Sequence, residues 1–354
     1  MRSRTVCGSA SHPITRFQDH KSRIPVLPRC YFPRYTFFSM QDSILSVRGL
    51  VKTYPGKPPV EAVRGIDLDV RTGETFGLLG PNGAGKSTTI AVVTTRAIPN
   101  SGAITVAGVD VVAAAAESRV NMGVVTQFNT LDRQLSVFDN IYYHCRYFGW
   151  SDDRSKKRTS ELLELFRLSE RGKTPVVALS GGLAQRVQIA RAIAHQPKVL
   201  FLDEPSAGLD PQSRLALWDV IRELRNQGIT VVLTTHYMEE ADALCQRVAI
   251  IDHGKILVCD TPAQLKAQVG SQKVINVYLQ SDGAREALLP SFAQSPGVTA
   301  AEPIAHGVRI FAPSSQGLLP RIVELAGPHL RDISIQETTL ETVFIKLTGR
   351  DLRD

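Results

Sequence analysis

The stretch Gly80-Pro81-Asn82-Gly83-Ala84-Gly85-Lys86-Ser87-Thr88 constrains this chain more than any other. It fits the pattern G-x-x-x-x-G-K-[ST], and its flanks fit as well: Thr75-Phe76-Gly77-Leu78-Leu79 reads as a buried strand and Thr88–Val93 as an opening helix. A triphosphate is a dense anion. Holding one calls for backbone N–H groups aimed inward, no Cβ in the way and the positive end of a helix behind them. Gly80, Gly83 and Gly85 supply the room, with Asn82 and Ala84 completing the loop backbone. Lys86 adds a point charge that can reach the β- and γ-phosphates, and the Ser87 hydroxyl can take one position on Mg²⁺. The bare pattern arises by chance in roughly one chain in a hundred of this length, so other elements must carry the reading further.

Composition narrows the setting. At 354 residues, 43% hydrophobic and 21% charged, the chain has room for one large α/β domain and a smaller one. No apolar run reaches the ~18 residues needed to span a bilayer as a helix, so a membrane role would be by association. Five cysteines, scattered and without a C-x-x-C pair, argue against a disulfide framework or a zinc site and for a reduced cytosol, and the eight histidines contain no H-x-x-x-H pair. The net charge of +7 is concentrated: residues 1–40 hold seven basic side chains and one acid, which accounts for +6 of it. The remainder is nearly neutral, which removes the argument for nucleic acid as a partner. The first segment also carries Pro13, Pro25, Pro28 and Pro33 and no steady periodicity, so residues 1–40 read as a basic, disordered extension. A targeting presequence and a membrane-surface arm are alternatives, but the prolines spoil an amphipathic helix and favour a start at Met40.

From Ser43 the pattern becomes regular. Ile44–Leu50 and Ala62–Val70 alternate as strands, and between them Tyr54 precedes Pro55-Gly56, where a ring could stack on a purine base or simply be an exposed turn tyrosine. Ile104–Gly108 and Met122–Thr126 are strand-like, the second ending at Gln127, a side chain able to ligate Mg²⁺. Residues 136–178 turn helical and break the strand–helix alternation, as an inserted subdomain would. There Val137, Ile141, Cys145 and Phe148 share one helical face, and Phe138, Tyr142, Tyr143, Tyr147 and Trp150 are either core packing or a groove for a partner's helix. The run Ser155–Arg158 reads as a solvated helix face.

A second glycine turn, Leu179-Ser180-Gly181-Gly182-Leu183, feeds another helix and forms another N-terminus suited to an anion. Val199-Leu200-Phe201-Leu202-Asp203-Glu204-Pro205 is an apolar strand ending in two carboxylates, which are costly there unless they hold a metal or do chemistry. Asp203 suits Mg²⁺ and Glu204 suits polarisation of an attacking water. Ser206–Pro211 is a tight turn around Asp210, and the β-branched strand Ile229–Thr235 stops at His236, on the same carboxyl edge.

In this order, Tyr54, GPNGAGKST, Gln127, LSGG, VLFLDEP, SAGLD and His236 resemble, over about residues 43–265, the nucleotide-binding subunit of ATP-binding cassette (ABC) transporters. The resemblance implies an α/β fold: a P-loop NTPase cassette over 43–270 with a RecA-like core, an antiparallel β subdomain and a helical subdomain at about 136–180. It implies Lys86, Ser87 and Thr88 on the phosphates and Mg²⁺ of bound ATP, Gln127 and Asp203 on the metal, Glu204 as general base and His236 on the γ-phosphate. It also implies that two cassettes sandwich two ATP molecules, with Ser180, Gly181 and Gly182 acting in trans and Asp210 at the shared interface. Leu183 stands where the family's commonest signature has glutamine, which puts the fine geometry of that turn in question. Beyond Gly270 the pattern suggests a small β-α-β-β-α-β domain over 271–354, and the end, Glu337–Arg350, looks like the tail of the daunorubicin-resistance and nodulation-factor exporter branch. The expectation is an ATP-hydrolysing subunit, peripheral on the cytoplasmic face of the membrane, that pairs with a second cassette, as a homodimer for instance, and drives a separate polytopic permease outward. A soluble cassette acting on ribosomes or DNA, and an importer, are the competing expectations.

Overall fold

The computed structural model describes residues 43–268, 273–313, 315, 317–336 and 339–348. The readings of residues 1–40 as a disordered extension and of Glu337, Thr338, Gly349 and Arg350 in the tail lie outside these residues.

Two sheets meet at the glycine loop. The first is antiparallel, in the order β2-β1-β4-β5, from β1 (Ser43–Tyr54), β2 (Val60–Arg71), β4 (Ser101–Val106) and β5 (Val109–Asp110). The second runs β10-β9-β3-β8-β7-β6, from β3 (Thr75–Leu79), β6 (Met122–Val125), β7 (Val199–Asp203), β8 (Thr230–Thr235), β9 (Arg247–Asp252) and β10 (Lys255–Asp260). Its strands are parallel except for β10 at the edge. Every residue of β3, β7 and β8 is buried, as continuous apolar runs covered on both faces require.

Helix α1 (Lys86–Val93) leaves the loop two residues earlier than the apolar pattern predicts, because Gly85, at φ 107°, acts as its N-cap. After α2 (Ala115–Val120) come α3 (Val137–Tyr147) and α4 (Asp152–Leu165), which pack on each other and, through α3, on α5 (Gly181–Ala192). Val137, Ile141 and Cys145 are fully buried there, whereas Tyr143 and Tyr147 are exposed. The aromatic cluster is thus divided between core and surface. In the run Ser155–Arg158 only Lys156 and Lys157 are exposed: Ser155 is buried with its hydroxyl on the Ser151 carbonyl, and Arg158 reaches the Ile193 carbonyl at 3.4 Å. The charge pattern conceals a buried side of α4, with Ser155, Thr159, Leu162 and Leu163.

Helices α6 (Pro211–Asn226), α7 (Met238–Leu244) and α8 (Pro262–Gln268) complete this part. A third sheet, β12-β13-β11-β14, follows with α9 (Asp282–Ala293) and α10 (Leu318–Ala326); its strands are β11 (Lys273–Leu279), β12 (Ala300–Ile304), β13 (Gly307–Ala312) and β14 (Leu330–Gln336), all antiparallel. The order β-α-β-β-α-β is that of the sequence pattern, around a separate apolar cluster that includes Ile275, Val277, Phe292, Ile310 and Ile322. The last helix, α11 (Leu340–Thr348), packs instead on α7 and α8, and Leu340, Val343 and Phe344 join the core of the parallel sheet.

Candidate nucleotide site

The glycine loop wraps one end of a cleft of about 670 Å³, a size suited to a small-molecule ligand. Space around the loop is tight: a Cβ on Gly80 would collide with the Ile251 carbonyl and one on Gly85 with the Ala62 carbonyl. Both positions therefore need glycine. Tyr54, Asn82, Gly83, Gly85, Lys86, Ser87, Thr88, Gln127 and Glu204 all line the cleft, so chain segments far apart in sequence converge there. Ala84 is buried in the loop, and Gly80 begins it at the end of β3. Tyr54 is 37% exposed, with the Lys52 ammonium 4.9 Å from its ring centroid, so a face of the ring remains accessible at the cleft.

The charges are arranged at the carboxyl ends of β7 and β8. Lys86 is 4% exposed; its ammonium donates to the carbonyls of Gly80 (2.8 Å) and Pro81 (3.0 Å) and lies 3.2 Å from Glu204 Oε1. Burial lowers the Lys86 pKa, and the nearby Glu204 and Asp203 carboxylates oppose that shift. A buried ammonium held by two carbonyls and one carboxylate is suited to a phosphate oxygen. The Ser87 hydroxyl donates to Asp203 Oδ1 at 3.0 Å, which places two hard oxygen ligands side by side. With Gln127 on the same cleft, this donor set fits Mg²⁺.

Glu204 takes a positive φ of 49°, and its N–H donates both to the Thr234 carbonyl (3.1 Å) and to the Thr234 hydroxyl (3.0 Å). That hydroxyl in turn donates to Asp203 Oδ1 at 2.6 Å. The strained turn aims the two carboxylates in different directions, Asp203 toward Ser87 and Glu204 toward Lys86 and His236. His236 Nδ1 is 3.1 Å from Glu204 Oε2, which places the histidine beside the acid although it does not line the cleft.

Thr234 was missed by sequence reasoning; a polar residue near the end of a buried β-branched strand is the one signal that could have marked it. Also missed were Pro59–Ala62, Arg64 and His253, which line the cleft as well. These come from β2 and the β9–β10 turn, which no motif spacing connects to the glycine loop.

The second glycine turn lies elsewhere. Ser180, Gly181, Gly182 and Asp210 are absent from the cleft wall, and Ser180, Gly181 and Asp210 are exposed. Ser180 caps α5, accepting from the Leu183 N–H at 3.5 Å, and Asp210 caps α6, accepting from the Ser213 N–H at 2.9 Å. Hydrogen bonds from the Ser213 hydroxyl and N–H hold the Asp210 carboxyl below the usual range. The turns abut: a Cβ on Gly182 would fall 2.5 Å from Ser213 Oγ. Leu183 keeps the cap and packs partly against the core, so the departure from glutamine leaves the turn's form intact.

Comparisons with known proteins identify the family. The family model of ABC transporters matches residues 63–207. The chain is 38% identical over 311 residues to the Nod factor export ATP-binding protein I of Ralstonia nicotianae, covering 88% of this chain and 95% of that one. It is 38% identical over 315 residues to the daunorubicin/doxorubicin resistance ATP-binding protein of Streptomyces peucetius (88% and 94% covered). The linearmycin resistance ATP-binding protein of Bacillus subtilis is 36% identical over 317 residues (88% and 100%). Among solved structures, a dimeric ATP-binding cassette in a post-hydrolysis state with ADP and phosphate superposes with a TM-score of 0.57 at 25% identity, covering 61% of this chain and 98% of that one. The cbiO1 subunit of Clostridium perfringens gives 0.59 at 27% identity, with 70% and 95% covered. The chain therefore belongs to the ABC transporter family, as an ATP-binding and ATP-hydrolysing subunit.

Proposed function

We propose that this chain is one half of a two-cassette motor that binds MgATP, closes on a second cassette and drives a separate membrane permease outward. The observation that carries the reading is the division of the motifs. Lys86, Ser87 and Glu204 line one cleft, with Asp203 bonded to Ser87 and His236 to Glu204 behind them, whereas the Ser180–Gly182 turn and Asp210 are presented outside it. A second copy, or a related cassette, would bring its own Ser180–Gly182 turn onto the phosphates held by the first.

In that assembly the loop N–H groups and Lys86 hold the β- and γ-phosphates, and Tyr54 lies against the base. Ser87, Asp203 and Gln127 would hold Mg²⁺, whose charge offsets that of the phosphates. Glu204 takes the proton of the attacking water as its oxygen bonds to the γ-phosphorus and the bond to ADP breaks. His236, seated on Glu204, contacts the γ-phosphate. Closure is the working stroke, and hydrolysis releases it.

Among the described residues no helix is long and apolar enough to cross a membrane, so coupling needs a surface for a permease at the cytoplasmic face. Phe128, Tyr143 and Tyr147 expose large rings. A smaller cleft of about 170 Å³, with Thr94, Phe148 and His195 in its wall, offers a seat for a partner segment. The names of the relatives, two concerned with resistance and one with export, support the outward direction. Affinity purification of the tagged chain from gently solubilised membranes tests the reading. A polytopic membrane protein in stoichiometric amount is expected; recovery of ribosomes or soluble partners alone would sink it.

A further inference from the structure

Glu240 lies on α7, in the turn that follows His236, and is fully buried. A bare carboxylate in such a place is costly, so the group must be paired or neutral. Arg214 contributes a favourable field, but its guanidinium lies over the Trp218 ring, 5.7 Å from the centroid, and 3.8 Å from Glu239. The contacts to Glu240 are those of a hydrogen-bonding group. Trp218 of α6 donates its indole N–H to Oε1 at 3.2 Å, and the hydroxyls of Ser206 and Thr235 face the carboxyl. Burial raises the Glu240 pKa, against the lowering by Thr235, Ser206, Trp218 and Arg214.

Beside the buried, unpartnered Arg214 Nε, two oxygens here lack a hydrogen-bond partner, Glu240 Oε2 and Ser206 Oγ. They are complementary: a neutral carboxyl can donate from Oε2 to the serine oxygen. Their placement is also specific. Ser206 follows Glu204 by two residues and Thr235 immediately precedes His236. One side chain on α7 thus faces both segments that bring Glu204 and His236 to their 3.1 Å contact.

We propose that Glu240 is a positioning residue for the hydrolytic corner, a hydrogen-bonding strut from α7 to Ser206 and Thr235 that holds Glu204 and His236 in register. The proposal rests on the reading of Glu204 as the base.

The test is steady-state ATP hydrolysis by the full chain with its permease, with melting temperature measured alongside. Glu240→Ala is expected to lower kcat tenfold or more while KM for ATP stays within about threefold, because the glycine loop is untouched. Glu240→Gln, neutral and able to donate and accept, is expected to keep at least half of the wild-type kcat. Should the alanine variant fail to fold, Trp218→Phe removes the donor to Oε1 and keeps a ring; a two- to fivefold fall in kcat at constant KM is expected. Wild-type kcat in the alanine variant, or in the phenylalanine variant if that is the one measured, overturns the strut alone, as does a glutamine variant as slow as the alanine one. A wild-type chain that binds ATP and never hydrolyses it overturns the reading of Glu204, and the strut with it.

Discussion

Two of the glycine turns that feed helices in this chain, those before α1 and α5, differ in one respect. The first, Gly80–Lys86, is enclosed: its lysine is 4% exposed and bound by Gly80, Pro81 and Glu204. The second, Ser180–Gly182, is offered outward, braced from behind by Ser213 and with Asp210 beside it. Both present a helix N-terminus, and an N-terminus suits an anion in either place. Only the first is supplied by its own chain with a lysine, a pair of carboxylates and a histidine. On the proposed reading, the difference separates a site that is nearly complete from a fragment that gains its function on another molecule's site.

The largest effect belongs to the enclosed turn. Glu204→Gln removes the proton acceptor and leaves Lys86 and the loop in place, so turnover should fall by a hundredfold or more while ATP still binds and accumulates on a paired species. Hydrolysis assays with a nucleotide-retention measurement check this; undiminished turnover would show that Glu204 is not the base. A smaller loss, roughly ten- to a hundredfold, is expected for Ser180→Ala, with ATP affinity of the unpaired chain unchanged. An equal mixture of Ser180→Ala and Lys86→Ala chains should then regain activity that neither has alone, because one composite site is intact. Absence of complementation would break the comparison, since the second turn would then act on its own chain.

The remaining expectation, one of stability and not of turnover, concerns how the second turn is mounted. At the far end of α5, His195 stacks on Phe148 (3.8 Å between centroids), lies 3.0 Å from the Met122 carbonyl and meets His144 of α3 at 3.3 Å. Burial depresses both histidines, His144 to about 3 and His195 to about 4. In the unfolded chain they take up protons near pH 6.5, and in the folded chain they do not. Stability is therefore full above about pH 6.5 and is lost as pH falls toward 4, by up to about 1.4 kcal/mol per pH unit for each histidine. Denaturant titrations at pH 7 and 5 should resolve the slope, and substituting glutamine at both positions should flatten it. Equal slopes in the two proteins would place the pH sensitivity elsewhere.

Much of this was legible before any coordinates. The parallel strands β3, β7 and β8 read directly as apolar runs because both of their faces are covered, and the small third sheet with its two helices follows the predicted alternation. Motif residues were legible for a related reason: a polyphosphate site restricts residue type at each position, so Gly85, Lys86 and Ser87 stand out in one dimension. Residues recruited by tertiary contact did not. Thr234 orients Asp203 and Glu204 through a side chain that any buried strand could carry, and Pro59–Ala62 and His253 reach the cleft because sheets and turns distant in sequence meet there. The face of α4 was misread because Ser155 and Arg158 look solvated in the sequence, whereas Ser155 is buried and Arg158 reaches the Ile193 carbonyl just past α5.

By itself the sequence determined the chemistry of this protein. A glycine loop with lysine and serine, an acid pair after an apolar strand, and a histidine after the next one specify a phosphate-binding hydrolase, because each group is required by type and local chain direction alone. The tertiary structure decided which of those groups share a site. The 3.2 Å Lys86–Glu204 pair, the 3.1 Å Glu204–His236 contact and the outward placement of Ser180–Gly182 depend on strand order and on a positive φ at Glu204. So does the buried Glu240, an acid on a short helix that in one dimension looks no different from the exposed Glu239 beside it. Burial and juxtaposition are properties of packed elements, and a linear pattern carries them only where the chemistry has already restricted the choice.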